Sequence, residues 1–497
     1  MSDSESMSVL GDIDPSLIGG RAVRGVAFLI LRYAGIRILG LAANIILSRL
    51  LSPQAFGIYA ITLSLLVLLS FVADFGLSAS LLQQRKAISE RDLRTVFTAQ
   101  QLLVLSLLVI LFLLAPVLAA TYHLGGMGIW FIRLMLVAGL FSSLRTAPTI
   151  ILERQLRYGQ LSVIELADFG LFQLTAVILA FAGYGVWSFL LAVLIAKFVS
   201  TLLAYGLARW TPAFGFDPAR FAGLWRFGLP FQLSWLTFFL RDYMIPILGG
   251  LLVTTTQVGY LNWALALAGV PGQLAQIVGR VTLPAFARYQ DRPAALSRAV
   301  EQSIRGLFIT AIPLHLTIVA LAPWLIQLVF SDKWLPALPA LYLLSIHWSG
   351  ANLTSPLVST LNAMGRARLG LALSAVWTAA TFALALLFLH RFGFVGIALA
   401  YSVTMIGAAA AVLVTIHRLL PELRLWPQVR APLAAALLAS GGCFGLRQLL
   451  NPSVVTLLAL LLATGLVYAA ILWVMEGRRL RTELRTVFRR PVAAAVE

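Results

Sequence analysis

The stretch FGIYAITLSLLVLLSFVADFGLSASLLQQRKAISERDLR, residues 56–94, decides how the rest of the chain is read. Residues 56–82 carry a single charge, Asp74, and then Arg85, Lys86, Arg91 and Arg94 follow in quick succession. A run of that length crosses roughly 30 Å of hydrocarbon at about 1.5 Å per residue, and cations gathered at its end mark the cytoplasmic side of a spanning helix. The pattern repeats in both directions. Fourteen apolar runs qualify as spans, at 24–48, 56–82, 95–119, 128–151, 159–182, 185–208, 227–252, 258–286, 304–330, 336–364, 368–389, 394–417, 431–450 and 454–475. Connections after the even spans carry the clusters: Arg154 and Arg157; Arg209, Arg220 and Arg226; Arg288, Arg292, Arg298 and Arg305; Arg366 and Arg368; Arg418, Arg424 and Arg430. Connections after the odd spans hold only Arg49, Lys333 and Arg391, with Arg447 beside another. The alternation predicts a multi-pass protein of the bacterial inner membrane with both termini in the cytoplasm.

Composition points the same way. With 60% hydrophobic and 11% charged residues, a water-soluble globule would expose a vast apolar surface. The net charge of +18 lies mostly in the basic connections and the tail, where it faces lipid headgroups, so no nucleic-acid partner is expected. The lone Cys443 offers no intrachain disulfide and no thiolate metal cluster. The first 20 residues are polar and acidic without an apolar core, so the first span is expected to serve as its own insertion signal.

An internal repeat runs at a spacing of a little over 200 residues. Phe56-Gly57-Ile58-Tyr59-Ala60 returns as Val258-Gly259-Tyr260-Leu261; Pro148 followed by Arg154 and Arg157 returns as Pro356 followed by Arg366 and Arg368; Gly183-Tyr184-Gly185-Val186-Trp187 returns as Gly393-Phe394-Val395-Gly396-Ile397. Six spans per copy is an even number, so both copies point the same way and are related by an axis along the membrane normal. The expected architecture is an all-α polytopic fold with two pseudo-symmetric six-helix bundles. Its divisions are a polar N-terminus (1–20), an N-terminal bundle (21–210), a C-terminal bundle (211–420), two extra helices (421–476) and a basic tail (477–497). The segments 209–226 and 287–303 are expected to form amphipathic surface helices.

Several segments then resemble a known family. They are Ser48-Arg49-Leu50-Leu51-Ser52-Pro53-Gln54-Ala55-Phe56-Gly57-Ile58-Tyr59, Asp74-Phe75-Gly76-Leu77-Ser78, Leu152-Glu153-Arg154-Gln155-Leu156-Arg157-Tyr158 and Gly183-Tyr184-Gly185-Val186-Trp187, with Gln257 to Ala264 and Pro284-Ala285-Phe286 in the second half. Together they are similar to the Wzx-type polysaccharide transporters of the multidrug, oligosaccharidyl-lipid and polysaccharide exporter superfamily, over residues 22 to 420. The resemblance implies a MATE-like fold. It also implies movement of an undecaprenyl-diphosphate-linked oligosaccharide between leaflets by alternating access, with membrane lipids, a polysaccharide polymerase and chain-length proteins as partners and no cofactor.

Ionisable groups within the spans are expensive and call for a partner, a wet cavity or a task. Of the cations Arg32, Arg37, Arg133, Arg145, Lys197, Arg241 and Arg280, four lie near helix ends, where they snorkel: Arg32, Arg133, Arg145 and Arg280. Arg37, Lys197 and Arg241 lie deeper and are the candidates for holding a diphosphate. Tyr33, Arg37, Asn44 and Ser48 share one face of the first span, and Ser234, Thr237 and Arg241 share one face of the seventh. The alternative for Arg241 is neutralisation by an acid such as Asp242. The acids Asp74, Glu165, Asp168 and Asp242 are assigned to ion coupling or charge balance. Ser345, Ser349, Asn352, Ser355 and Ser359 form a stripe on the tenth span that either contacts sugar hydroxyls or packs helices, and Asn44, Asn352 and Ser349 are the glycan candidates. His315 and His347 lack metal spacing, and no phosphate-binding loop of the Gly-x-x-x-x-Gly-Lys type occurs.

Seven embedded cations against four acids favour an anionic cargo over the organic cation of a multidrug antiporter. A lipid II flippase is a nearer rival, which charge does not separate. A membrane glycosyltransferase or polymerase is disfavoured because the external connections are too short to carry a catalytic platform.

Overall fold

The computed structural model describes residues 35–36, 38–74, 76–83, 89–273, 286, 288–289 and 292–489. The first half contains α1 (Ile38–Leu50), α2 (Pro53–Asp74), α3 (Leu77–Gln83), α4 (Glu90–Thr121), α5 (Gly128–Leu144), α6 (Thr146–Arg154), α7 (Tyr158–Phe181) and α8 (Trp187–Ala208). The second half contains α9 (Pro218–Asp242), α10 (Thr255–Ala268), α11 (Pro293–Trp324), α12 (Leu338–Ala363), α13 (Ala367–Phe392) and α14 (Phe394–Leu419), and α15 (Trp426–Leu449) and α16 (Val454–Arg489) follow. Among the described residues there is no strand. Among the described residues ten helices are long and apolar enough to cross a membrane, and side chains such as Leu113 (71% exposed) and Val474 (84%) face outward, as a lipid solvent requires.

Helix starts are written locally. Ser52 caps α2, whose first residue is Pro53, by accepting from Ala55 N at 3.2 Å. Ser89 with Asp92 and Thr254 with Gln257 form capping boxes at α4 and α10. The long helices α9 and α12 are absent from the ten because they carry more polar residues, and both line the main cavity described below.

Several spans are not single straight helices. The second breaks after Asp74, and Gly76 adopts φ +71° before α3 begins. The seventh ends as α9 at Asp242 and continues through a π-helical turn, Ile245–Gly249, at the Pro246 and Gly249 bend. The segments expected as separate surface helices are instead extended chain at 210–217 followed by the start of α9, and the run-in to α11 from Pro293. The thirteenth run, short in the sequence and carrying Arg447, is a full 24-residue helix, α15. Residues 1–34 and 490–497, which include the whole polar N-terminus, Arg32, Tyr33 and the end of the basic tail, lie outside the described residues, as do Arg37 and Arg280.

The halves meet at two levels. At the arginine-poor end α2 crosses α10 backbone on backbone. A Cβ on Gly57 would lie 1.7 Å from the Thr255 carbonyl oxygen, and one on Gly259 would lie 1.9 Å from that of Pro53. The two glycines are 202 residues apart, and so are Pro53 and Thr255, whose carbonyls they rest on, so the repeat read in the sequence packs against itself. Aromatic rings seal this end: Phe56 and Trp263 pack on Trp334 at 5.0 and 4.8 Å, and Trp334 Nε1 donates to the Ser48 carbonyl at 2.9 Å. At the arginine-rich end α9 meets the first half through backbone and side chains: a Cβ on Gly76 would lie 2.1 Å from the Gly228 carbonyl oxygen. Gln232 donates to the Phe71 carbonyl at 2.5 Å, and Arg220 pairs with Asp92 at 2.6 Å. The trailing pair docks on α11, with Tyr468 donating to the Ile309 carbonyl at 2.9 Å and Arg305 paired to Glu476, where α16 kinks.

Candidate functional site

In the second half, the C-terminal end of α9 and the helices α12, α13 and α14 enclose a cavity of about 530 Å³. Arg241, one of the three deep cations singled out in the sequence, is on its wall. Its Nε donates to Asp242 Oδ1 at 2.9 Å and its Nη2 lies 2.8 Å from the same oxygen, so the neighbouring acid balances it. The guanidinium also stands 5.6 Å from the Trp377 ring centroid, and the Arg241 carbonyl accepts from the Tyr401 hydroxyl at 3.0 Å. The paired carboxylate is 57% exposed, which leaves the ion pair open on one side.

Opposite runs the polar stripe of α12. Asn352, Ser355, Ser359 and Asn362 line the cavity. Asn352 is 1% exposed, and its Nδ2 has no hydrogen-bond partner among the described residues. An orphaned buried amide costs about 1–3 kcal/mol, and this one belongs to a residue of the cavity lining. Two members of the stripe behave differently: Ser345 and Ser349 donate to carbonyls of their own helix, at 2.8 Å each, and neither is on the cavity wall. His347 Nδ1 lies 3.2 Å from the Tyr401 carbonyl, and Trp348 Nε1 donates to the Leu265 carbonyl at 3.2 Å. The wall therefore offers one guanidinium, amides, hydroxyls and indole rings.

The first half treats its charges in another way. Asp168 on α7 accepts from Lys197 Nζ at 2.6 Å and from Ser200 Oγ at 3.1 Å, both on α8. Arg145, at the joint between α5 and α6, reaches the same carboxylate at 3.5 Å and donates to Ser200 at 3.0 Å. The sequence placed Arg145 at a helix end as a snorkelling residue; the joint turns it inward to Asp168 instead. Glu165 is exposed and is not among the partners of Asp168. Asp74 accepts from Ser78 and, at 2.9 Å, from Gln100 Nε2, all neutral groups near the break between α2 and α3.

Asn44 belongs to a different space, about 320 Å³, bounded by α1, Phe169 and Gln173 of α7, and α10. Ser48 donates to it at 3.4 Å. Asn44 and Asn352 thus do not form one site, and Arg37 lies outside the described residues. Trp348, Trp377, Tyr401 and Asn362 were not singled out in the sequence, because aromatic residues in apolar runs read as core.

The family described as polysaccharide biosynthesis protein matches residues 46–339, more than half of the chain. Among characterised relatives, the teichuronic acid biosynthesis protein TuaB of Bacillus subtilis is 28% identical over 61% of this chain. The succinoglycan biosynthesis transport protein ExoT of Rhizobium meliloti is 26% identical over 67% of it. The lipopolysaccharide biosynthesis protein WzxC of Escherichia coli is 26% identical over 66% of it. These matches span 63%, 67% and 67% of the relatives' own lengths, about two thirds. Among solved structures, the inward closed conformation of the lipid II flippase MurJ superposes with a TM-score of 0.79 at 14% identity, over 91% of this chain and 100% of that one. An inward-facing MATE family multidrug transporter gives 0.62 at 17% identity, over 78% and 95%. At those identities the two structures establish the fold.

Proposed function

The chain belongs to the polysaccharide biosynthesis protein family, and we propose that it carries a polyprenyl-diphosphate-linked oligosaccharide from the cytoplasmic to the periplasmic leaflet by alternating access. The observation that carries this reading is the second-half cavity, a polar and aromatic space within a bundle whose outer surface is apolar. Amides and hydroxyls suit sugar hydroxyls, and indole faces suit the apolar faces of a sugar ring. The diphosphate is common to such cargo whatever the glycan. It falls to the planar donor fork of Arg241, with Arg37 of the first span as its counterpart. Lys197, already engaged by Asp168, contributes less. Asn352 is the glycan contact, joined by Asn362; Ser349, bonded to its own helix, drops out, and Asn44 serves the separate space between α1, α7 and α10.

Asp168, held by Lys197, Arg145 and Ser200, acts as charge balance, as Asp242 does for Arg241. This pairing also speaks against an organic-cation antiporter, which needs a carboxylate free to take its substrate. The arginine-rich connections and both termini belong to the cytoplasm of a bacterial inner membrane, and the names of the relatives support a place in surface polysaccharide assembly, beside a polymerase and chain-length proteins.

Reconstituted proteoliposomes test the reading. Wild-type protein should move a fluorescent polyprenyl-diphosphate glycan out of reach of an impermeant reagent. Arg37→Ala combined with Arg241→Ala should slow this by about tenfold or more while the protein still unfolds cooperatively on heating. Full-speed flipping by a folded double variant would remove the cationic anchor. Failure of the wild type on every such lipid, together with uptake of an organic cation, would replace the flippase with the antiporter.

A further inference from the structure

Two spaces in the second half share a wall. The polar cavity and an apolar groove of about 290 Å³ both touch Val358, Ser374 and Trp377. The groove runs between α13 and α14 on the lipid-facing surface, where Val376 is 69% and Val403 40% exposed. Its floor is lined by small residues of α14, which leave it open, and a Cβ at Gly407 would meet no atom within 4 Å. Thr404 makes no polar demand there: its hydroxyl donates to the Ala400 carbonyl at 2.7 Å and accepts from Thr381 at 2.9 Å.

We propose that Trp377 partitions a single site for an amphiphile, with the polar head of the lipid-linked cargo in the cavity and the first isoprenoid units of its chain in the groove between α13 and α14. The proposal rests on the reading above and adds where the hydrocarbon goes. A chain drawn into the cavity with its head would cover Arg241 and Asn352 with groups that cannot pair with them, at a desolvation cost. A chain left against α13 and α14 stays among apolar side chains and lipid. The two spaces have three wall residues in common, so one molecule with its head in the first and its chain in the second would pass at Trp377. An acyl chain of an ordinary phospholipid also suits an apolar groove. The cargo chain is preferred because the guanidinium assigned to the diphosphate stands 5.6 Å from the ring that forms the partition.

The test uses the full-length protein in nanodiscs and an undecaprenyl diphosphate carrying a diazirine in the isoprene units beside the diphosphate, with labelled peptides read by mass spectrometry. Labelling should fall on the peptides around Val376, Val403 and Ala411 and decline when excess inorganic diphosphate competes for the head. Gly407→Phe, which fills open space, should abolish that labelling without moving the thermal unfolding midpoint. A probe that diphosphate displaces, yet which labels other helices or is indifferent to Gly407→Phe, overturns the groove and leaves the flippase reading standing. Equal labelling by a diazirine phosphatidylglycerol, insensitive to diphosphate, identifies a general lipid groove and also overturns the proposal. Labelling by the undecaprenyl probe that diphosphate nowhere displaces removes the flippase reading, and the groove with it.

Discussion

The two halves answer the same problem, charge inside a membrane, in opposite ways. In the first, Arg145, Asp168, Lys197 and Ser200 close on one another, each charged side chain about one fifth exposed. In the second, the Arg241 and Asp242 pair opens on a cavity, and the Asn352 amide beside it is left unmatched. A charge compensated in place belongs to the architecture. A charge beside empty polar space belongs to whatever fills that space, and the amide that lacks a partner is the clearer sign of the two.

The largest expected effect breaks the closed cluster. Asp168→Ala strands two cations in the bundle and should cost about 3 kcal/mol or more of stability, visible as a lower unfolding midpoint and poor membrane yield. A variant as stable as wild type would mean that Lys197 and Arg145 have other compensation, and the contrast between the halves would collapse. Next comes Arg241→Lys, which keeps the charge and loses the fork; flipping should fall by about fivefold with stability little changed, since the difference lies in bidentate hydrogen bonding. Restoration of full rate by lysine would reduce Arg241 to a point charge. Asn352→Leu removes the orphan amide at similar volume, so stability should hold or rise by up to about 1 kcal/mol while transport drops. Loss of both would show that the amide has a structural partner. The smallest effect is expected from Asp168→Leu combined with Lys197→Met and Arg145→Met, since replacing every charged member of a buried cluster by apolar groups is often close to neutral. Marked loss of flipping in that folded variant would turn the closed cluster into part of the transport machinery.

The architecture was legible because it rests on signals that are local or periodic. Apolar length, cation placement and the recurrence of Gly57 as Gly259 each survive without knowledge of tertiary contacts. The site was legible only in part, and the stripe on α12 shows why. Helical phase put five polar residues on one face, but a serine in a helix can satisfy its hydroxyl on the preceding turn. Ser345 and Ser349 do so, while the Asn352 Nδ2 has no partner among the described residues. Lys197 shows a related limit: depth in a span predicts that a cation needs a partner, not which one, and Asp168, which it meets, lies on the adjacent helix, 29 residues earlier. Trp377 gave no signal, because a tryptophan in an apolar run looks the same whether it fills a core or walls a cavity.

The crossing of α2 and α10 has a consequence of another kind. Gly57 rests on the carbonyl of Thr255, and Gly259 rests on that of Pro53, so the same contact is made twice with the roles exchanged. That is the geometry of an isologous dimer interface, here enclosed in one polypeptide. A half-length ancestor would have needed only one such surface to pair with a copy of itself, and the chain at 210–217 would then be a tether acquired later. Severed within that tether, the two pieces retain both faces of the contact and are expected to find each other again when made together in one membrane.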